Sequence, residues 1–127
     1  MKNGTSFTER ELDIMSILWQ EGSGTVAEVK DELDSTVGYT TVLKMLQILE
    51  EKGMVRHERE GRAYRYYPTV AQDEAGEHAL RRIVDKIFQG SAELTLARLV
   101  RDTKLTADEV QRMHALLDEA DLQVLED

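Results

Sequence analysis

The chain has no cysteine, a single proline, and no apolar run approaching the ~20 residues that a membrane-spanning helix needs. Without cysteine there can be no disulfide and no thiolate metal site. With one proline and eight glycines in 127 residues, long irregular loops have little room. The polar start, MKNGTSFTEREL, has no apolar core of the kind a secretion signal carries, so a cytoplasmic protein without membrane insertion is expected. No GxSxG, P-loop or glycine-rich dinucleotide fingerprint is present. His57, His78 and His114 lie far apart and form no HExxH spacing, and the carboxylates show no paired arrangement. An enzyme, a metal site and a bound cofactor are therefore not expected.

What is present is charge, unevenly placed. The formal net charge is −9, which at first argues against nucleic acid. Residues 1–34 hold three Lys/Arg against eight Asp/Glu, and residues 69–127 hold seven against thirteen. Residues 35–68 reverse this, with six against four. An acidic protein can bind DNA if its cations share one face, although long-range steering is then weak.

The basic segment has two parts. In GYTTVLKMLQIL (38–49), a helical wheel puts Val42, Met45, Leu46 and Leu49 on one side. Thr40, Lys44, Gln47 and Glu51 fall on the other, presenting groups that suit base edges and phosphates. Lys52-Gly53 closes this helix, with glycine at the left-handed position. Then MVRHEREGRAYRYYP (54–68) alternates in the manner of two strands, 54–58 and 63–67, around a turn at Glu60-Gly61-Arg62. Arg59 and Arg62 bracket that turn and can reach a phosphate backbone, whereas Arg56 or Arg65 can instead pair with Glu50 or Glu58. Tyr39 can donate to a phosphate or pack in the first turn, and Thr41 lies on the flank.

The remaining sequence frames this unit. Thr8-Glu9-Arg10-Glu11 and Thr25-Val26-Ala27-Glu28 fit capping boxes opening helices that end before Gly22 and at about Leu33. Thr69-Val70-Ala71-Gln72 fits a third cap, for a helix to about Gln89 with Leu80, Ile83 and Ile87 in its apolar stripe. Ser91 can cap a short helix containing Leu99. Thr106-Ala107-Asp108-Glu109 fits another box, before a helix carrying Met113 and Leu117. The expected fold is mainly α with a small β-wing. A winged helix-turn-helix domain would occupy 7–68 and a three-helix dimerisation domain 69–127. Three short helices bury little by themselves, so their stripes need a partner, most simply the same region of a second chain.

TERELDIMSILW, GYTTVLKMLQILEEKG and REGRAYRYYP resemble the penicillinase-repressor family (BlaI/MecI/CopY type). The resemblance is close over residues ~7–68 and looser beyond. It implies a homodimeric transcriptional repressor on inverted-repeat, double-stranded DNA operators, in an antibiotic or cell-envelope stress response. It places recognition-helix contacts at Thr40, Thr41 and Lys44 and a wing contact near Arg62. In β-lactam-responsive members a sensor-linked protease cuts the C-terminal domain and the dimer releases DNA. The family's Asn-Phe bond corresponds here to Arg98-Leu99, which keeps only the hydrophobic side. Many members carry arginine where this chain has Ile48, which removes one phosphate contact or ion pair. Copper-sensing members use C-terminal cysteines, which are absent. Two alternatives stand beside this reading. One is a winged-helix protein–protein interaction module, which the net charge favours. The other is a ligand-sensing MarR-like regulator, which would carry a helix ahead of residue 8 that this chain is not expected to have.

Overall fold

A computed structural model describes residues 7–33 and 36–124. The elements run α1 (Glu9–Glu21), β1 (Gly24–Thr25), α2 (Val26–Glu32), α3 (Tyr39–Glu51), β2 (Val55–Glu60), β3 (Ala63–Pro68), α4 (Gln72–Ile87), α5 (Ala92–Asp102) and α6 (Ala107–Asp121). They form two compact units, one running to Arg82 and the other from Ile83.

In the first unit, both expected capping boxes are made. The Thr8 and Thr25 hydroxyls accept from the Glu11 and Glu28 amides, and each glutamate accepts from the cap's own amide in return. Each box satisfies donors that a helix start leaves open. Ile14, Met15 and Leu18 of α1, Val26 and Val29 of α2, and Val42, Leu46 and Leu49 of α3 form the core with Met54, Val55 and Tyr66. Burying each such side chain is worth ~1.5–3 kcal/mol. Met45, expected on the same face, is only half-buried at its edge. Gly53 takes the expected left-handed turn, φ 80°, and sends the chain into the wing.

The sheet is three-stranded and antiparallel, in the order β1-β3-β2. β2 and β3 pair from Val55↔Pro68 to Glu60↔Ala63, which leaves the two-residue turn Gly61-Arg62. Gly61 has φ 62°, a conformation glycine adopts without a Cβ penalty. The two-residue strand β1, which pairs Gly24↔Tyr66 and Thr25↔Arg65, has no signature in the sequence. It is too short for alternation to show.

Thr69 is not a helix cap, contrary to expectation. Its hydroxyl donates to the Gly53 carbonyl and its amide to the Met54 carbonyl (2.9 Å), so α4 starts later, at Gln72. The Thr69 hydroxyl is thus engaged with the turn after α3 and not with the first turn of α4. The Trp19 indole N–H donates to the Val70 carbonyl at 2.8 Å, tying the same segment to α1. α4 ends at Ile87 rather than near Gln89, which takes φ 55°.

In the second unit the Ser91 and Thr106 hydroxyls cap α5 and α6, accepting from Leu94 (3.0 Å) and Glu109 (3.1 Å). At Thr106 only this half of the expected box forms among the described residues. Neither α5 nor α6 buries a single residue.

A long-range ion pair braces α1 against the end of α3. Lys52 Nζ donates to Glu11 Oε1 at 2.8 Å, and the Glu11 side chain is only 6% exposed. Burial pushes the Glu11 carboxyl up, but the hydrogen bonds from Lys52 and Thr8 outweigh it and hold it below the ordinary range. Its ionised form therefore favours the fold. That contribution is complete above the ordinary carboxylate pKa of ~4.3 and fades as pH falls through the depressed value. Lys52→Met should cost roughly 2–3 kcal/mol in urea unfolding at pH 7, less than a fully buried pair because Lys52 keeps some solvent. Adding Glu11→Gln should recover part of that loss.

Candidate nucleic-acid interface

Packing fixes which side of α3 faces outward. With Val42, Leu46 and Leu49 held in the core, Thr40, Thr41, Lys44 and Gln47 are all exposed, and Tyr39 is half-exposed at the helix start. Ile48 is half-buried and offers no polar group.

Strand alternation sorts the wing's arginines. Arg56 and Arg65 share one face of the hairpin with Glu58 and Glu60. Arg56 Nη1 lies 2.6 Å from Glu58 Oε2, with its guanidinium 4.3 Å from the Tyr67 ring centroid. Arg59 lies on the opposite face with His57, Tyr64 and Tyr66. Its Nε donates to the Gly61 carbonyl at 3.2 Å and its guanidinium stands 5.9 Å from the Tyr64 ring. Arg62 occupies the turn itself and is exposed. Among the described residues neither Lys44, Arg59 nor Arg62 pairs with a carboxylate, whereas Lys52, Arg56 and Arg65 all do. Of the six Lys/Arg between residues 35 and 68, those left for an outside anion are thus one on α3 and two at the wing tip.

Arg65 is the residue whose role the sequence concealed. Its guanidinium donates to Glu28 of α2 (2.9 and 3.1 Å), to Glu60 of β2 (2.8 and 3.0 Å) and to Ser23 Oγ (3.2 Å). One arginine therefore joins both wing strands to α2. Glu28 Oε1 also accepts from the Thr25 amide, so the clamp grips a carboxylate already fixed by a capping box. The Arg65 hydrogen bonds hold the Glu28 and Glu60 carboxyls below their ordinary range and raise the Arg65 pKa. Glu28 lies 37 residues from Arg65, so no local pattern announces the pair. The Thr25↔Arg65 register of β1 is what brings them together.

Within the second unit, Ile83 and Ile87 on α4, Leu99 on α5 and Leu117 on α6 are exposed, and Met113 is half-buried. Leu80, earlier on α4, is exposed as well. Met113 and Leu117 line a cleft between α5 and α6 of about 220 Å³, with Leu96, Val100, Leu105 and Val110. Arg98 and Leu99 are both exposed within α5, and Arg98 Nε pairs with Asp102 at 3.0 Å. A protease would have to unwind this turn before reaching the Arg98–Leu99 bond. Among the described residues no helix is long and apolar enough to cross a membrane, and no cluster of His, Asp and Glu has the geometry to hold a metal ion.

Comparison with known proteins gives a consistent set of likenesses. A family model described as penicillinase repressor matches residues 7–119. The penicillinase repressor of Bacillus licheniformis is 25% identical over 121 residues, spanning 94% of each chain. The transcriptional regulator BlaI of Mycobacterium tuberculosis is 31% identical over 122 residues, covering 91% of this chain and 85% of its own. Among solved structures, the DNA-binding domain of the repressor BlaI superposes with a TM-score of 0.51 at 33% identity. It covers 58% of this chain and 93% of that one. A MarR variant from E. coli shares the fold at 22% identity and a TM-score of 0.52, over 91% of this chain and 76% of its own.

The Arg65 clamp has a measurable consequence. Arg65→Gln should speed amide hydrogen exchange across Val55–Glu60 and Ala63–Pro68 while the exchange of α3 stays unchanged. Equal protection in both proteins would mean that strand pairing alone holds the wing.

Proposed function

Since the chain belongs to the penicillinase repressor family, whose members are transcriptional repressors, we propose that it acts as a homodimer on an inverted-repeat operator. The observation that carries this reading is the outward face of α3 beside the wing. Thr40, Thr41, Lys44 and Gln47 stand exposed there, next to the unpaired cations at the wing tip. α3 enters the major groove, with Thr40 and Lys44 at base edges and Tyr39, Thr41 and Gln47 near phosphates. Arg59 and Arg62 lie along the backbone or minor groove.

Dimerisation follows from what α5 and α6 leave uncovered. Two helices with no buried residue and exposed Leu99, Leu116 and Leu117 are not stable against water alone. A second copy covers these side chains together with Leu80, Ile83, Ile87 and Met113. The three unpaired cations of α3 and the wing grip a half-site weakly, so two half-sites held at fixed separation supply the affinity. Repression is then occupancy of a promoter, in the setting of antibiotic or cell-envelope stress. Anything that breaks the dimer releases it, and a sensor-linked protease cutting Arg98–Leu99 would do so by severing α5.

Titration of duplexes selected from a random pool tests the reading, with tight binding expected for paired half-sites and weak binding for single ones. No retention on any duplex at low salt would overturn it in favour of a protein–protein module. Lys44→Ala should cost ~1–3 kcal/mol at one base position and relax the preference there. A uniform loss across sequences would reassign Lys44 to a phosphate. Arg62→Ala should flatten the dependence of log K on log salt by roughly 0.9, one phosphate's worth. Leu117→Asp should sediment as a monomer and lose affinity for the paired site.

A further inference from the structure

A titratable pair links α3 to the wing. Glu50, in the last turn of α3, sets both carboxylate oxygens 2.8 Å from Nδ1 of His57 on β2. A carboxylate offers only acceptors, so Nδ1 carries a proton in this contact. Nε2 is then the atom that gains or loses one. The His57 and Glu50 side chains are 38% and 33% exposed, so water reaches both. The imidazole stands edge-on to Tyr64 at 4.8 Å and tilted against Tyr66 at 5.5 Å, and Tyr66 belongs to the core. Two aromatic contacts thus brace the ring beside Glu50.

The groups around the pair come from every element beside it. Glu50 and His57 line one cleft with Tyr39 and Gln47 of α3, Arg62 of the wing turn, and Tyr64 and Tyr66 of β3. Arg59 follows His57 on the same face of β2. Among the described residues lining this cleft, Glu50 is the one carboxylate. Tyr39, Gln47 and Arg62 belong to the proposed DNA-facing set, so a duplex seated on them brings phosphates beside the Glu50 charge. With His57 neutral, that charge is unbalanced and repels them. With His57 protonated at Nε2, the pair is neutral as a whole and its hydrogen bond joins two opposite charges, which makes it stronger. Imidazole is the side chain whose charge ordinarily changes between about pH 5 and 8.

We propose that the His57–Glu50 pair makes duplex binding depend on pH. Uptake of one proton at His57 Nε2 cancels the Glu50 charge and tightens the link between α3 and the wing. Affinity for the duplex therefore rises as pH falls through the histidine range. This dependence rests on the operator-binding reading; the pairing of His57 with Glu50 in the free protein does not.

The test titrates the full-length protein with the paired-site duplex recovered from the random pool, at fixed salt, between about pH 6 and 8.5. The wild type should bind roughly two- to fivefold more tightly at the acid end, the scale of one partly exposed charge pair. His57→Gln should hold the weaker affinity throughout. His78 and His114 are common to both proteins, so the difference between them reports His57. Glu50→Gln, which removes the repelling charge, should bind more tightly than the wild type at the alkaline end. Equal slopes in the wild type and His57→Gln, or no gain by Glu50→Gln, would overturn the proposal. Without DNA, nitrogen-15 NMR should find the neutral His57 ring protonated on Nδ1 in the wild type, with that preference lost in Glu50→Gln. A neutral ring protonated on Nε2 in the wild type would overturn the pair itself. If the NMR result holds while no duplex is retained at any pH, the pair stands, and the operator reading falls together with the pH dependence built on it.

Discussion

The rotation of α3 about its own axis is the constraint on which the rest depends. Val42, Leu46 and Leu49 are driven inward against α1 and α2, and nothing in the core would accept Thr40, Lys44 or Gln47 in their place. The outward face is therefore set by burial on the inward one. The same burial seats Val55 and Tyr66 at the base of the wing, so helix and hairpin share one core and present their polar sides together.

Half of the cations in the central segment serve to hold the fold together. The central segment has six Lys/Arg, but three are bound by carboxylates of the first unit: Lys52 by Glu11, Arg56 by Glu58, and Arg65 by Glu28 and Glu60. The exposed Arg56–Glu58 pair contributes little stability, as such surface pairs do. Arg65 is different in kind, because it bridges three elements and orients a hairpin whose tip carries Arg59 and Arg62. With few cations free on α3 and the wing and a net charge of −9 on the chain, electrostatic attraction to a polyanion is local and short in range. Geometry then has to do what net charge does in basic DNA-binding proteins.

The second unit shows the opposite economy. Its helices α5 and α6 are capped and regular, yet neither buries a residue fully. Local signals suffice to make helices and leave open what those helices pack against. The apolar side chains along them are an unfinished core, and that is the physical ground for reading them as one side of an interface.

Much of the fold was legible in the residues. Thr8, Thr25, Ser91 and Thr106 mark helix starts because a hydroxyl reaching the amide three residues on is a local event. The period of α3 named its core face, and Gly61 named the turn, for the same reason. What the sequence could not settle was every pairing made across the fold. Thr69 carries a cap signal yet closes α3 instead, β1 is too short to leave a pattern, and Arg65, for which Glu50 or Glu58 was the expected partner, holds Glu28 and Glu60. Each of these depends on residues brought together from 16 to 42 positions away. Local chemistry determines which elements form and which way they face, whereas only the packed chain decides which charges are already satisfied and which are left to meet a partner.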